Sequence, residues 1–479
     1  MSDIIVTIDG KQISVPTGST ILDAAKRAQI RIPTLCHLEN QEVKGVCRIC
    51  VVEVEGARTL QPACATPVRD GMVVHTDTEA VRASRKTNLA LILAHHPMDC
   101  QSCVRMENCH IEDLEEDLCN ACLFCDCVKK DQDCELCALV EEYDVNGMPF
   151  EWTRRTEPED VSTASIIRNP NKCIECRRCI AACAQWQDMH VLGLSGRGAE
   201  LHVGTVMGIP LANTKCVECG QCVRVCPVGA VFEHQDLDRL PEAITDKGKT
   251  VTVRIEPYFL EQYLRLAELD SEKYGMGHLV AGLKRLGVDC IVSNQYEENN
   301  AEIFLRRELL HADKPVISAF CPAAVRFVQQ EFPLLSGNIS RVHSPQKNFG
   351  KTHETEYTVS LSPCSAKKAE AQRDVGRNVD QVMSPREIHR LFRRSGVDLT
   401  KLAPVDMDGQ IAKTHEVREA GIETGTLQIE ERTVRYACVR GLRAARKLLE
   451  EVSSGAASYD YIQLQSCPEG CISTNAWII

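Results

Sequence analysis

Short segments of alternating apolar and polar residues fill the first 78 positions of the chain. IIVTIDG, KQISV, CVVEVEG and MVVHT contain β-branched residues between turn signals, which predicts strands. TILDAAKRAQI has apolar residues at helical spacing and predicts one helix. Residues 1–78 are therefore expected to form a small β-rich domain.

The apolar pattern changes further along the chain. VRASRKTNLALILAHHPMDC has a helical period and opens a cysteine-rich region over 79–160, and residues 161–240 hold further cysteines. After DLDRLPEAITDK (236–247), which we interpret as a linker, the strand patterns KTVTVRI and KPVISAF occur together with amphipathic helices such as GHLVAGLKRLG and SPREIHRLFRRSG. This predicts an α/β domain over 248–479. The fold class expected for the whole chain is multidomain α+β and α/β.

Composition points to metal chemistry. The chain has 479 residues, 27 cysteines and a net charge of −12, and this charge argues against nucleic-acid binding. Neither a signal peptide nor a membrane span is visible, so we expect a cytoplasmic protein. Closely spaced cysteines in that compartment bind metals more often than they form disulfides. Because GxGxxG and GxxxxGK[ST] are absent, no flavin or nucleotide is expected on this chain.

The first four cysteines are Cys36, Cys47, Cys50 and Cys64. A close central pair with one distant thiol on each side suits a [2Fe–2S] cluster, with structural zinc as the alternative. The β-grasp-like context favours iron. The pattern resembles the N-terminal ferredoxin-like domain shared by the large iron–sulfur subunit of respiratory complex I and by multi-cluster hydrogenases.

A histidine precedes the next cysteines, in the constellation His96, Cys100, Cys103 and Cys109. An imidazole can replace one thiolate of a [4Fe–4S] cluster, which removes a negative charge and raises its potential. His96 could also be an ordinary surface histidine. Its spacing is the one found in the same complex I and hydrogenase subunits, and this resemblance favours ligation.

Residues 119–137 depart from that family pattern, with six cysteines in CNACLFCDCVKKDQDCELC. CELCALVEEYDV (134–145) echoes CHIEDLEEDL (109–118), as if the unit had been duplicated. Cys119, Cys122 and Cys125 have the start of a [4Fe–4S] motif, and we assign Cys137 as the fourth ligand, with Cys127 and Cys134 as alternatives. A zinc knuckle is the alternative centre.

Two repeats in 161–240 give the most specific signal. Their cysteines follow the spacing x2, x2, x3 of the bacterial two-cluster ferredoxin, in which each fourth cysteine ligates the other cluster. The first [4Fe–4S] is assigned to Cys173, Cys176, Cys179 and Cys226, and the second to Cys183, Cys216, Cys219 and Cys222.

The last domain has four cysteines beside or near prolines: Cys321, Cys364, Cys467 and Cys471. Thiolates from three distant loops can hold one buried [4Fe–4S] cluster. SAFCPAAV, LSPCSAKKAEA and QSCPEGC resemble the TSCCP, MPCTAKK and ACPGGC loops of [FeFe]-hydrogenases, in that order. SPQKNFG, KRLGVDCIVSNQY and GLRAARKLLEEV extend the resemblance, which with the N-terminal modules covers nearly the whole chain.

The resemblance implies a fifth [4Fe–4S] cluster and, in the family, a di-iron centre bridged to the last cysteine. Here Phe320 replaces the proton-relaying cysteine, Ser362 and Gln465 replace methionines, and Glu469 replaces a glycine. We therefore expect the cubane without the di-iron centre, with Phe320 and Glu469 occluding and charging the vacated pocket. Lys367 is retained.

The departures make the chain similar to the hydrogenase-like subunit of an electron-bifurcating transhydrogenase of the Stn type. The expected role is electron transfer through one [2Fe–2S] and five [4Fe–4S] clusters, with no catalytic residue on this chain. The expected partners are flavin- and NAD(P)-binding subunits, a small [2Fe–2S] subunit, and ferredoxin. The alternative is an active or sensory [FeFe]-hydrogenase.

Overall fold

The structure is a computed structural model that describes residues 3–97, 100, 103, 134–145, 150, 156–348, 355–373, 378–408 and 421–471. Its first part is a five-stranded sheet crossed by one helix. The elements are β1 (Asp3–Ile8), β2 (Lys11–Pro16), α1 (Ile21–Arg27), β3 (Val51–Val54), β4 (Gln61–Pro62) and β5 (Met72–His75), and the strand order is β2-β1-β5-β3-β4. Thr20 caps α1 through a reciprocal capping box with Asp23, and the buried face of α1 covers the sheet. This part agrees with the expected β-rich domain.

Two helices follow the sheet, α2 (Glu79–Leu93) and α3 (Glu135–Glu142). Leu89 and Leu93 of α2 lie in the same buried cluster as Leu136 and Leu139 of α3. Arg85 joins the two helices to the sheet, because it donates to the Val51 carbonyl and to the Tyr143 hydroxyl, each at 2.8 Å.

The third part consists of short elements: β6 (Ile166–Arg168), α4 (Arg178–Ala181), β7 (Leu192–Ser195), β8 (His202–Thr205), α5 (Gln221–Arg224) and β9 (Val231–Glu233). β6 pairs antiparallel with β9, and β7 with β8. A π-helical turn, Ala182–Trp186, continues α4 and contains Cys183. A π-turn inside a helix often marks a functional site.

The C-terminal part is α/β. Its elements are α6 (Arg239–Thr245), β10 (Thr250–Ile255), α7 (Phe259–Leu266), α8 (Met276–Leu286), β11 (Cys290–Ser293), α9 (Gln295–His311), β12 (Val316–Ala319), α10 (Pro322–Glu331), β13 (Ile339–His343), β14 (Glu356–Leu361), α11 (Ser365–Arg373), β15 (Gln381–Met383), α12 (Pro385–Arg394), β16 (Gly421–Ile429), β17 (Arg432–Arg440), α13 (Leu442–Ser453) and β18 (Tyr461–Gln465). One sheet has the order β11-β10-β14-β15, all parallel, and the other has β13-β12-β18-β17-β16, with only the β16/β17 pair antiparallel. Parallel sheets of this kind place functional loops at the carboxyl ends of their strands.

The linker expected at 236–247 is instead largely helical. α6 occupies most of this segment, and its Leu240 and Ala243 are buried against β10. The sequence prediction was wrong because Leu240 and Ala243 are surrounded by charged residues. Two apolar residues are too few to give a recognisable helical period, and their burial follows from tertiary packing.

Candidate metal centres

The four cysteines assigned to the [2Fe–2S] cluster lie together beside the first sheet. Cys50 immediately precedes β3 and Cys64 follows β4, which pairs with β3. The thiols of Cys36 and Cys47 hydrogen-bond to each other, and so do those of Cys50 and Cys64. Cys36 also interacts electrostatically with Cys50 and Cys64, so the sheet brings all four side chains to one place.

The helical region places His96, Cys100 and Cys103 after α2, and all three are buried. The Cys103 N–H donates to the Cys100 carbonyl at 2.9 Å, which keeps the two thiols on one tight turn. Cys109, assigned to the same cluster, lies outside the described residues.

Cys137, assigned to the 119–137 site, contacts two other cysteines among the described residues. Its thiol hydrogen-bonds to Cys100 and to Cys134, both in or beside the region of the histidine-containing set. Cys119, Cys122 and Cys125, its expected co-ligands, lie outside the described residues.

The two ferredoxin repeats share one backbone geometry. In the first repeat Glu175 and Arg177 have positive φ angles of 56° and 62°, and in the second Glu218 and Gly220 have 57° and 73°. Left-handed residues turn the chain tightly, so that successive amides face inward. The N–H groups of Glu175 and Glu218 each donate to the sulfur two residues earlier, Cys173 and Cys216, at 3.4 Å. Such N–H donors stabilise thiolates of a cluster.

Each ferredoxin set surrounds its own internal cavity. One cavity is lined by Cys173, Cys176, Cys179 and Cys226, together with apolar side chains. The other is lined by Cys183, Cys216, Cys219 and Cys222. Cys226 thus lies with the three cysteines of the first repeat, and Cys183 with those of the second. These donor sets and cavities fit two [4Fe–4S] clusters.

The C-terminal cysteines follow the carboxyl ends of three strands. Cys321 follows β12, Cys364 follows β14, and Cys467 and Cys471 follow β18. Cys364 interacts electrostatically with the other three, so the two sheets bring the whole set together. Burial raises the pKa of the Cys364 thiol well above its usual value. A buried thiolate is costly without a cation, and a bound cluster supplies the positive iron that replaces the proton.

Within the described ranges, no three histidine, cysteine or acidic side chains converge where one metal ion would bind.

Three departures from the family loops have a defined place. Phe320 is buried in an apolar cluster with Leu305 and Tyr461, so its position cannot relay a proton. The Ser362 hydroxyl accepts the Cys364 N–H at 3.2 Å. The Gln465 amide oxygen accepts the Cys471 N–H at 3.0 Å, which holds the last ligand loop closed.

Glu469 is not buried beside the C-terminal cysteines, where it was expected to add a negative charge. Its side chain is 57% exposed and forms an ion pair with Arg224 of α5, on the ferredoxin part. The expectation was wrong because the attraction of an arginine on another domain turns the carboxylate outward, and sequence spacing does not report such a partner.

Buried polar side chains surround Lys367 in α11, and the sequence named this lysine but not its partners. Lys367 is 1% exposed and its Nζ lies 3.0 Å from Glu370 Oε2. The Ser344 hydroxyl and the Gln346 amide donate to the same carboxylate at 2.7 and 3.1 Å. Glu256, at the end of β10, is also buried here, and burial raises its pKa to about 8 despite the opposing charge of Lys367.

Side chains between neighbouring sets connect four of the candidate centres. Arg178 on α4 interacts with both Cys36 of the [2Fe–2S] set and Cys176 of the first ferredoxin set. At the other end, the Gln221 amide lies 3.3 Å from the Cys467 sulfur and belongs to the second ferredoxin loop. Arg178 and Gln221, which sequence analysis missed, therefore lie between neighbouring sets. Their only sequence signal is that each immediately precedes the third cysteine of its repeat.

Models of known families match most of the chain. "Iron only hydrogenase large subunit, C-terminal domain" matches residues 249–416 and 408–474, and "2Fe-2S iron-sulfur cluster binding domain" matches 2–79. "4Fe-4S dicluster domain" matches 172–230, and "NADH-ubiquinone oxidoreductase-G iron-sulfur binding region" matches 85–120.

Similar proteins cover the same architecture. The chain is 34% identical to NADP-reducing hydrogenase subunit HndD of Solidesulfovibrio fructosivorans, over 98% of this chain and 88% of that protein. It is 27% identical to iron hydrogenase 1 of Clostridium pasteurianum, again over 98% and 88%. The alpha subunit of the NADPH-Fe(3+) oxidoreductase of Geobacter sulfurreducens (strain DL-1 / KN400) is 35% identical over 47% of this chain and 24% of its own length.

The chain belongs to the [FeFe]-hydrogenase-like large subunits that have [2Fe–2S] and [4Fe–4S] domains. Its likeness to subunit HndD extends over all of these domains. In the part of the chain that the structure describes, every helix is too short or too polar to cross a bilayer.

Proposed function

We propose that this chain is the electron-conducting iron–sulfur subunit of a flavin-based, electron-bifurcating transhydrogenase of the Stn type. Its clusters pass electrons between ferredoxin and the NAD(P)-binding subunits. Hydride chemistry takes place on those partners, because the chain has no nucleotide motif. The C-terminal cubane is an end of the relay, and no di-iron centre is bound beside it.

The contact between Gln221 and Cys467 is the main support for the proposal. It couples the second ferredoxin loop to the C-terminal set, so a cubane there is connected to the other centres. The burial of Phe320 among apolar side chains removes the proton relay that hydrogen chemistry needs. A site that electrons can reach but that lacks a proton relay is suited to electron transfer and not to hydrogen chemistry.

The relatives offer a second candidate, an active hydrogenase. Subunit HndD and iron hydrogenase 1 are named as hydrogenases. Lys367 is retained and buried, although its ammonium is paired with the Glu370 carboxylate.

Infrared spectroscopy and product analysis of the anaerobically purified complex separate the two functions. We expect no bands from iron-bound carbon monoxide or cyanide, and no hydrogen with a strong reductant, even after co-expression with the di-iron maturation enzymes. We also expect the complex to transfer reducing equivalents between NADH and NADPH in a reaction that depends on ferredoxin. Carbon monoxide bands together with hydrogen evolution would establish the hydrogenase instead.

A matched variant sharpens the comparison. Phe320→Cys returns the relay residue, and Phe320→Ala opens the same space without a thiol. If the pocket has lost the di-iron site altogether, neither variant evolves hydrogen. Hydrogen from Phe320→Cys alone would show that only the proton relay is missing.

A further inference from the structure

The loop between the first two cysteines of the [2Fe–2S] set packs against the first ferredoxin repeat. Leu38 of this loop packs against the buried apolar cluster that contains Cys179. The Glu42 N–H donates to the Gln185 amide oxygen at 3.2 Å, on the π-helical turn that continues α4. The [2Fe–2S] set and the first ferredoxin set therefore meet across an interface between two parts of the chain.

Two cationic side chains lie in this interface. Lys44 belongs to the loop and interacts electrostatically with Cys36 of the [2Fe–2S] set and with Cys176 of the first ferredoxin set. Arg178 comes from the other side of the interface, on α4, and interacts with the same two cysteines. Each cation thus faces both sets, although its neighbours in the sequence belong to only one of them.

The protein compensates this positive charge only in part. An Arg178 Nη1 to Glu135 Oε1 distance of 2.6 Å defines one ion pair, and the Glu135 side chain is half exposed. The Nε of Arg178 and the Nζ of Lys44 are buried, and neither has a hydrogen-bond partner among the described residues. Lys44 and Arg178 also repel each other.

Buried cationic groups without partners are costly unless an anion lies beside them. An iron–sulfur cluster held by four thiolates is such an anion, and its net charge is one of the factors that set its potential. The N–H groups of Lys44 and Arg178 that lack a partner therefore fit an interior that holds a cluster on each side.

We propose that Lys44 and Arg178 form a cationic bridge that stabilises the reduced forms of both the [2Fe–2S] cluster and the first ferredoxin cluster. A positive charge near a cluster favours the added electron and so raises the reduction potential. Because the same two side chains face both sets, they raise both potentials together. The inference rests on the conducting role proposed above. Midpoint potentials test it separately, because they do not depend on which reaction the complex catalyses.

Glu135 allows a test of sign. Its carboxylate partly compensates the charge of Arg178, so Glu135→Gln should raise both potentials, whereas Arg178→Gln should lower them. Both variants remove the same ion pair, so a purely structural role of this pair would shift the potentials in one direction. Arg178→Lys retains a positive charge and should have potentials between those of the wild type and those of Arg178→Gln.

The experiment measures iron content and midpoint potentials, by redox-titrated electron paramagnetic resonance, in the full-length protein purified anaerobically. The [2Fe–2S] signal is recorded at temperatures at which the faster-relaxing [4Fe–4S] signals are broadened away. Difference spectra against Cys176→Ala, which lacks a ligand of the first ferredoxin cluster, identify the signal of that cluster.

For Arg178→Gln and Lys44→Met we expect unchanged iron content and lowered potentials of both clusters. At a fixed potential the ratio of reduced to oxidised cluster should fall about tenfold, which corresponds to about 59 mV for one electron. Arg31→Gln is the matched control, because it removes the ion pair of an exposed arginine with Glu142. It should leave both potentials at their wild-type values.

Unshifted potentials in Arg178→Gln and Lys44→Met, with full iron content, would overturn the inference. A shift confined to the same single cluster in both variants would also overturn it, because the cations would then serve one set. Shifts of equal sign in Glu135→Gln and Arg178→Gln would assign a structural role to the ion pair. Should Arg178→Gln lose iron, Lys44→Met and Glu135→Gln decide, and unshifted potentials in both would contradict the bridge.

Discussion

The buried carboxyl of Glu256 makes the stability of the C-terminal part depend on pH. The carboxyl is fully buried at the end of β10, where desolvation favours its neutral form and raises its pKa to about 8. The neighbouring Glu370 and Glu298 act in the same direction, whereas Lys367 opposes them. A protonated Glu256 therefore fits this interior up to mildly alkaline pH.

Replacing Glu256 by glutamine should change how stability depends on pH. A raised folded pKa means that the neutral carboxyl stabilises the fold fully below the unfolded value of about 4.5, and that this contribution is lost as pH rises through about 8. Glu256→Gln should therefore unfold at nearly the wild-type temperature at pH 5 and at a higher temperature at pH 9.

Thermal unfolding of both proteins across this pH range measures the effect. Since one pKa unit corresponds to about 1.4 kcal/mol, the relative gain at pH 9 should be on the order of a few kcal/mol. Glu450→Gln, on the exposed face of α13, is the matched control and should follow the wild type throughout. Equal pH dependence in Glu256→Gln and wild type would contradict an uncharged buried carboxyl.

The cysteines themselves show what a sequence can predict at this scale. Ligands separated by two or three residues are recognisable as a set, because local spacing alone brings Cys173, Cys176 and Cys179 to one turn. Contacts between distant parts of the chain cannot be recognised in this way. The ion pair of Glu469 with Arg224 and the contact of Cys137 with Cys100 both depend on how separate elements dock.

At the scale of elements, tight turns join the ferredoxin part to the C-terminal sheets. Gly220 begins α5 with φ of 73°, and a Cβ at this position would lie 2.7 Å from the Ser365 hydroxyl at the start of α11. The close approach places the second ferredoxin loop beside the loop that contains Cys364. A side chain there would push the two candidate centres apart.

Gly220→Ala should consequently destabilise this junction more than an ordinary glycine substitution. Gly10 provides the matched control, because its φ is 81° but a methyl group added there would meet no atom within 4 Å. Both variants bear the cost of a left-handed alanine, roughly 1 kcal/mol, and only Gly220→Ala adds a steric clash. We expect a lower melting temperature for Gly220→Ala than for Gly10→Ala. Equal melting temperatures would show that the Ser365 side chain moves aside at no measurable cost.

Glu218 holds the same junction electrostatically. Its nearly buried carboxylate accepts from Ser165 at 2.7 Å and from Arg326 of α10 at 2.5 Å, and it also pairs with Arg373 of α11. One acidic residue of the ferredoxin loop thus binds two helices of the C-terminal part. No periodicity in the sequence marks this role, because both arginines lie more than a hundred residues away.

Glu218→Gln should loosen the junction, since it leaves Arg326 partly buried without its carboxylate. Breaking such a pair costs about 3–5 kcal/mol when the remaining charge is fully buried, and less where water reaches it, as at Arg373. Differential scanning calorimetry should show an earlier transition for the C-terminal part. Glu430→Gln, on an exposed turn, should leave the profile unchanged, and an unchanged Glu218→Gln profile would assign the junction to apolar packing alone.

At the scale of the whole molecule, four of the candidate centres are connected through described residues. Arg178 interacts with the [2Fe–2S] and first ferredoxin sets, the ferredoxin sets exchange their fourth cysteines, and Gln221 reaches Cys467. The sequence predicts each set but not their order, because order depends on how domains pack. Among the described residues, the second ferredoxin loop contacts the C-terminal cysteine set through Gln221.

Removing that connection should isolate the C-terminal cluster. Cys219→Ala lacks a ligand of the second ferredoxin cluster, so about four of roughly 22 irons should be lost, while the C-terminal cubane stays bound by its own four cysteines. Rapid-freeze electron paramagnetic resonance after mixing the complex with reduced ferredoxin or a reduced pyridine nucleotide would follow each cluster. We expect the C-terminal signal to develop at least tenfold more slowly than in the wild type, with Cys290→Ala, outside every predicted set, as the control. Wild-type kinetics in a Cys219→Ala protein that has lost the second ferredoxin signal would mean that electrons reach the C-terminal cluster by another route, such as direct docking of ferredoxin on the last domain.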